Sequence, residues 1–165
     1  MAKNTDIAAR LAKDAGRIEQ FLKRAPRAVG QLAVREFVGN FKRQSFQDEA
    51  GLEHAWPSRK VRRYRRKSGK GKSSRLVLTA AGKRDKGRAI LVQSGQLRRS
   101  ITVGSLDTDS VTISTDSEYA QAHNEGHRYA NRTLPQRQFM GASRRLNTEV
   151  ITYLKSGVDA ILGQK

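Results

Sequence analysis

AILVQSGQLRRSI (residues 89–101) opens a series of four short blocks that decides the fold, and VTIST (111–115), EYAQAHNEG (118–126) and LPQRQFMG (134–141) complete it. None of these blocks is an enzyme motif. Gly95 and Gly126 allow the backbone to turn where a side chain would clash, and Pro135 with Gly141 precedes a last amphipathic segment. The blocks therefore predict local backbone geometry and no catalytic centre.

The blocks with alternating residues predict an antiparallel pair of strands. Apolar and polar residues alternate over residues 101–103 and again over residues 111–114, as they do in strands with one buried face. Asp-Thr-Asp at residues 107–109 favours a tight reversal between the two strands. Short helices are predicted over residues 96–99 and residues 118–124, the second one ending at Gly126.

Amphipathic helices are predicted at both ends of the chain. Residues 4–6 supply a helix cap, and the apolar residues after them recur at spacings of three and four: Ile7, Leu11, Ala15, Ile18 and Leu22. Pro26 interrupts this pattern, so we expect a bend or break before a second helix that ends near Gln44. The apolar face of that second helix consists of Val29, Ala33, Phe37 and Phe41.

The last helix is predicted over residues 142–162. Its apolar face consists of Leu146, Val150, Leu154, Val158 and Ile161. Helices at both ends around a small antiparallel sheet indicate an α+β fold.

Most of the excess positive charge lies in one segment. Of the formal net charge of +18, residues 59–88 carry +13, whereas residues 1–58 and 89–165 carry +3 and +2. We therefore expect one folded domain over residues 1–165, with residues 58–88 as a mobile basic loop or arm. Within the arm, RLVLT at residues 75–79 predicts a short strand and GKRDKGR at residues 82–88 a charged turn.

The order of the blocks resembles that of the phage virion morphogenesis family, the tail-completion proteins of long-tailed phages and prophages such as Mu. Members typically show a glycine-centred block, a paired strand, a "YAxxHxxG" block and a "PxRxFxG" block before a C-terminal helix. A tryptophan-proline pair and a basic linker precede the blocks, as in this chain. The resemblance implies a small sheet or sandwich packed on the long helices. The residues that carry it are Trp56, Gly95, Leu97, Ile101, Tyr119, His123, Gly126, Pro135, Arg137, Phe139 and Gly141.

This resemblance implies a structural protein of virion assembly that acts in tail completion or head–tail joining. Copies of the chain would form a ring, with the sixfold symmetry of long tails implying a hexamer, and would contact tail-tube or head–tail connector proteins. The protein would be found in the virion, and in the host cytoplasm during assembly. We expect no enzymatic activity, no cofactor and no membrane segment, since no run approaches the ~20 apolar residues that a bilayer requires.

The basic segment supports an alternative function, nonspecific binding of nucleic acid through residues 59–88. Its 14 Lys/Arg residues with Tyr64 as the only aromatic favour contact with backbone phosphates over base stacking. The other interpretation is a loop that becomes ordered only against an acidic neighbouring subunit. The candidate contact residues in either case are Arg59, Lys60, Arg62, Arg63, Arg65, Arg66, Lys67, Lys70 and Lys72.

Candidates for catalysis or metal binding are weak. His123 and His127 could both face a zinc ion only if the helix continued through Gly126, and the alternative is a helix end with one packed and one solvated histidine. A triad of Ser94, His123 and Asp116 lacks a nucleophile motif. The chain has no cysteine, so thiolate sites are excluded.

Five of the motif side chains receive structural interpretations from the sequence. Leu97 and Ile101 are expected in the core, and Tyr119 and Phe139 in the core or in side-chain packing. Arg137 is expected either to pair with a carboxylate and fix its loop, or to be solvated.

Overall fold

The computed structural model describes residues 2–60, 63–66 and 75–163 and has an α+β fold, as predicted. Long helices begin and end the fold, and short helices and strands lie between them. The elements are α1 (Ala2–Arg43), β1 (Ser45–Gln47), β2 (Glu53–Ala55), β3 (Arg63–Arg66), β4 (Arg75–Leu78), α2 (Ala80–Asp85), α3 (Gln96–Arg99), β5 (Ile101–Leu106), β6 (Val111–Thr115), α4 (Ala120–Glu125), β7 (His127–Tyr129), β8 (Arg132–Leu134) and α5 (Arg144–Leu162). The strands of the described residues pair consecutively into two-stranded antiparallel sheets.

Helix α1 is continuous through Pro26, so the predicted break is wrong, and it begins at Ala2, before the predicted cap at residues 4–6. A proline inside a helix costs roughly 3 kcal/mol because one backbone hydrogen bond is lost and the ring crowds the preceding turn. Tertiary packing offsets this cost, since Pro26 and Gly30 are both buried. At Gly30 the β5–β6 hairpin lies so close that an added Cβ would be 2.9 Å from a Val111 methyl group.

Helix α5 packs antiparallel against α1. The Phe21 and Tyr153 rings lie 5.6 Å apart between centroids, and Gly157 leaves the space that the Phe21 ring occupies. Further along, Arg35 Nη2 lies 3.0 Å from Glu149 Oε2. The predicted apolar face of α5 points to this contact, but no residue of the helix is fully buried.

The β5–β6 hairpin has the predicted position and reversal. Ile101 pairs with Thr115 at one end and Leu106 with Val111 at the other, with an irregularity between Val103 and Ser105. The backbone N–H of Asp107 donates to the carbonyl of Ser110 and closes the turn. Strand β5 is less buried than alternation predicts, because only Ile101 enters the core.

Three further hairpins correct the sequence interpretation. β1 and β2 form a hairpin within residues 45–57, where the hydrophobic periodicity fades. β3 lies inside the segment predicted as loop and pairs with the predicted strand β4, so that Arg63 is opposite Leu78 and Arg66 opposite Arg75. Ladder hydrogen bonds stabilise such a strand without an apolar face. The third hairpin, formed by β7 and β8, is not predicted from the sequence.

The segment predicted as a charged turn is partly helical. Residues 82–85 belong to α2, and the hydroxyl of Thr79 accepts a hydrogen bond from the N–H of Gly82 at 2.9 Å. This side-chain cap stabilises the first turn, a local interaction that the charge pattern does not indicate.

The core lies where α1, the segment after β2 and the loop before α5 meet. The Phe41 ring contacts Trp56 edge-on at 5.4 Å and Phe139 at 5.2 Å between centroids. Leu97 and Ile101 are buried in the same cluster. The middle of α1 is thus the surface on which the motif blocks assemble.

Candidate functional site

The motif blocks converge on one loop, residues 135–141, which connects β8 to α5. Asn124 Oδ1, at the end of α4, accepts hydrogen bonds from the backbone N–H groups of Phe139 at 2.9 Å and Met140 at 3.0 Å. From α1, Asn40 Nδ2 donates to the carbonyl of Phe139 at 3.1 Å. Trp56 Nε1 donates to the carbonyl of Gln138 at 2.7 Å. Three separate parts of the chain therefore fix the backbone of this loop.

The predicted turning glycines have positive φ angles, 71° at Gly95 and 78° at Gly126. Gly126 ends α4, and a Cβ there would lie 3.0 Å from the backbone N of Gln136. The loop thus approaches α4 too closely for a side chain at this position. Pro135 follows β8, and Gly141 lies beside Phe46 and Gln138 at the end of the loop.

Arg137 follows neither of the two interpretations given by the sequence. The residue is only 6% exposed, so it is not solvated. Its Nε donates to the carbonyl of Pro57 at 3.1 Å, and within the described residues no carboxylate pairs with it. Burial and, to a smaller degree, the charge of Arg59 lower the pKa of the Arg137 guanidinium. A buried arginine without a counter-charge is unusual in a folded domain.

Arg137 lines an open cleft of about 490 Å³. Arg59 lies in the same cleft, where its Nη2 donates to the carbonyl of Ala89 at 3.0 Å. The described residues that line the cleft are Arg59, Ile90, Leu91, Gln93, Ser94, Leu97, Tyr119, His123 and Arg137. Two guanidinium groups, an apolar wall and several polar side chains therefore share one depression, and none of the described residues that line it is Asp or Glu.

His123 is half-buried at the cleft, and its Nδ1 has no protein partner within the described residues. Burial, and then the charge of Arg137, lower the pKa of the imidazole. Tyr119 contacts the His123 ring edge-on but is 42% exposed, so it packs at the cleft and is not a core residue. Leu97 and Phe139 are buried as predicted.

The geometry does not support the catalytic or zinc interpretations. His123 belongs to α4, whereas His127 is exposed on β7 beyond Gly126, so they do not share the helical face that the zinc pattern requires. This arrangement agrees with the alternative of one packed and one solvated histidine. Ser94 and His123 both line the cleft, but Asp116 is not among the described residues that do.

The basic contact residues are only partly described. Arg59 lies in the cleft, Lys60 is exposed, and Arg63, Arg65 and Arg66 belong to β3. The remaining candidates, Arg62, Lys67, Lys70 and Lys72, lie outside the described residues. A common basic surface of these side chains, and the mobility of residues 58–88, stay predictions.

Sequence reasoning missed the wall of the cleft formed by residues 90–93. The Gln44 side chain bonds both to the N–H and to the carbonyl of Ile90 and so anchors this wall to the end of α1. Leu91 has a φ of 60°, which is uncommon for any residue except glycine. Neither feature has a local sequence signal, because one depends on a contact between distant segments and the other on a strained backbone.

Comparison with known protein families gives a match over most of the chain. The model of the phage virion morphogenesis family matches residues 5–159. No curated protein matches the chain. No solved structure matches it either. Among the described helices, none combines the length and the apolar character needed to cross a membrane.

Proposed function

Because the chain belongs to the phage virion morphogenesis family, we propose that it acts in tail completion or head–tail joining, as a ring of identical subunits at the end of the tail. Membership of the family supports a structural role in the assembly of phage particles. In the proposed mechanism the ring stops polymerisation of the tail tube and presents a surface for joining the head. The subunits act by binding, not by catalysis.

An apolar stripe on α1 supports this proposal most directly, because the described part of the subunit does not bury it. Ile7, Leu11 and Leu22 are all exposed, Leu11 by 63% and Leu22 by 47%. Leu11 and Leu22 are eleven residues apart, so they point within about 20° of the same direction on the helix. An apolar helix stripe that is not buried in the core of its own subunit indicates a surface that binds another protein.

An apolar groove continues from this stripe. A cavity of about 540 Å³ lies between α1, α5 and the β5–β6 turn, with Leu22, Val29, Val150 and Leu154 among its lining residues. Leu22 belongs to both, so the stripe and the groove form one continuous apolar surface. In the proposed ring, the Leu11 end of the stripe of one copy inserts into the groove of the next. Such head-to-tail contacts close into a ring when the rotation between copies closes.

Sedimentation velocity of the purified chain tests the ring. We expect an oligomer of defined size, and a Leu11→Glu, Leu22→Glu variant that sediments as a monomer with the same helical content by circular dichroism. The matched control is Gln20→Glu, because Gln20 is an exposed residue on the opposite side of α1. An oligomer of unchanged size in the double variant would contradict an interface built on this stripe.

A second function, nonspecific nucleic-acid binding, is favoured by the charge of +13 on residues 59–88. Each phosphate that the protein neutralises releases counterions, so affinity would fall with salt at a log–log slope of roughly 0.9 per contact and would not depend on base sequence. Replacing Arg62, Arg63, Arg65 and Arg66 with Ser should flatten this slope and leave the oligomer size unchanged.

The same variant also separates the two roles of the basic segment. Loss of the oligomer with unchanged DNA affinity would show that the segment docks on an acidic neighbouring subunit. The nucleic-acid function would then be wrong.

A further inference from the structure

The cleft contains two positive charges that the described residues do not neutralise. Arg137 and Arg59 each donate to a backbone carbonyl, of Pro57 and of Ala89. A hydrogen bond to a carbonyl oxygen satisfies one N–H donor of a guanidinium but does not neutralise its positive charge. Within the described residues, neither guanidinium has an ion pair. Holding one cation 94% buried beside a second one costs free energy unless an anion compensates it.

The walls of the cleft determine which anion fits. Ile90, Leu91 and Leu97 form an apolar side, while Ser94 and Gln93 supply neutral polar groups. The volume of about 490 Å³ accommodates an anionic group together with a neighbouring aliphatic side chain. Binding to a nucleic-acid backbone depends on many cations that each neutralise a phosphate, whereas the described lining of the cleft has two, one of them buried beside an apolar wall.

We propose that this cleft binds a carboxylate of a partner protein, with Arg137 and Arg59 holding the carboxylate and the apolar wall holding the residue next to it. Guanidinium groups match the planar geometry of a carboxylate and bind it through paired hydrogen bonds. The bound segment is therefore acidic and carries an adjacent aliphatic side chain. The site requires only the cleft, so it would bind such a segment whether or not the chain forms rings.

His123 provides a spectroscopic probe of binding. Burial and, to a smaller degree, the charge of Arg137 disfavour the protonated ring and lower the pKa of the imidazole. A carboxylate bound at Arg137 cancels part of that positive potential. Any ligand in the cleft buries the ring further, so the charge effect is read from a pair of ligands that differ only in charge. A bound carboxylate should therefore give His123 a higher pKa than the matching bound amide does.

The test is a titration of the full chain with two peptides, followed by NMR of the His123 ring. We expect N-acetyl-Leu-Glu-Leu-amide to bind saturably and N-acetyl-Leu-Gln-Leu-amide to bind at least tenfold more weakly. At saturation, the pKa of His123 should be higher with the Glu peptide than with the Gln peptide. Arg137→Gln should weaken binding of the acidic peptide at least tenfold. The matched control is Arg128→Gln, which removes the same charge from an exposed position of β7 outside the cleft and should bind as the wild type does.

A second variant keeps the test decisive if Arg137→Gln does not fold. Ser94→Glu places a carboxylate at an exposed position of the cleft lining and should block the acidic peptide by occupying the arginines. Equal affinity for the Glu and Gln peptides, or unchanged binding in Ser94→Glu, would overturn the proposal. Tighter binding of inorganic phosphate than of the acidic peptide would also overturn it, because the site would then recognise phosphate.

Discussion

Replacing Asn124 with Ala should destabilise the chain by about 2 to 4 kcal/mol, because one side-chain oxygen accepts two backbone hydrogen bonds from the loop before α5. An unsatisfied buried donor costs roughly 1 to 3 kcal/mol. Phe139 is 1% exposed, so water cannot replace the acceptor of its N–H, and the full cost applies. Met140 is half-buried, and water can replace part of its lost bond.

Urea unfolding followed by tryptophan fluorescence measures this change. Trp56 is the only tryptophan of the chain, and its indole bonds to Gln138 in the same loop. With a urea slope of about 1 to 3 kcal/mol per molar, a loss of 3 kcal/mol lowers the midpoint by roughly 1 to 3 M. All variants are compared at one protein concentration, because self-association would change the apparent stability.

Two further variants test whether loss of the Asn124 Oδ1 acceptor causes the expected destabilisation. Asn124→Asp keeps an oxygen at the same position and should retain most of the stability. Asn131→Ala removes an exposed asparagine between β7 and β8 and should stay within about 0.5 kcal/mol of the wild type. If Asn124→Ala unfolds at the same urea concentration as Asn131→Ala, the loop is not held by this oxygen, and the reasoning is refuted.

Three other predictions concern the same region. Arg137→Gln should raise the pKa of His123, since the arginine charge disfavours the protonated ring; an NMR titration that shows no rise would contradict this. Because folding lowers this pKa, the stability linked to His123 is complete above an unfolded pKa of about 6.5 and decreases as the pH falls below it. Gly126→Ala should lower the free energy of unfolding by about 1 to 3 kcal/mol, as measured by thermal unfolding. The control is Gly16→Ala, which should be neutral or stabilising by up to about 1 kcal/mol, because an added Cβ meets nothing within 4 Å there. Trp56→Phe keeps an aromatic ring beside the core but removes the N–H donor to the loop. Thermal unfolding followed by circular dichroism should show a stability loss of about 1 to 2 kcal/mol. An unchanged melting curve would show that this hydrogen bond contributes little.

Local pattern was enough to predict the elements whose cause is local. Alternation of apolar and polar residues predicts the hairpin β5–β6, and helical spacing predicts the helix α5. The glycine positions predict the helical turn after Gly95 and the end of α4 at Gly126. The α+β class and the family follow from the order of these elements, which a single chain displays without any tertiary information. The core positions of Leu97 and Phe139 follow in the same way.

Tertiary structure decided the features that depend on distant contacts. Pro26 was expected to interrupt α1, but packing of the β5–β6 hairpin on the next turn of the helix, at Gly30, stabilises a continuous one. β3 was expected to be loop, since pairing with β4 cannot be inferred from its own charged residues. The cleft could not be predicted either, because Arg59 and Arg137 are far apart in the sequence and are brought together only by the fold around the core. Sequence patterns record short-range preferences of the backbone, whereas burial of an arginine without a counter-charge results from where the rest of the chain packs.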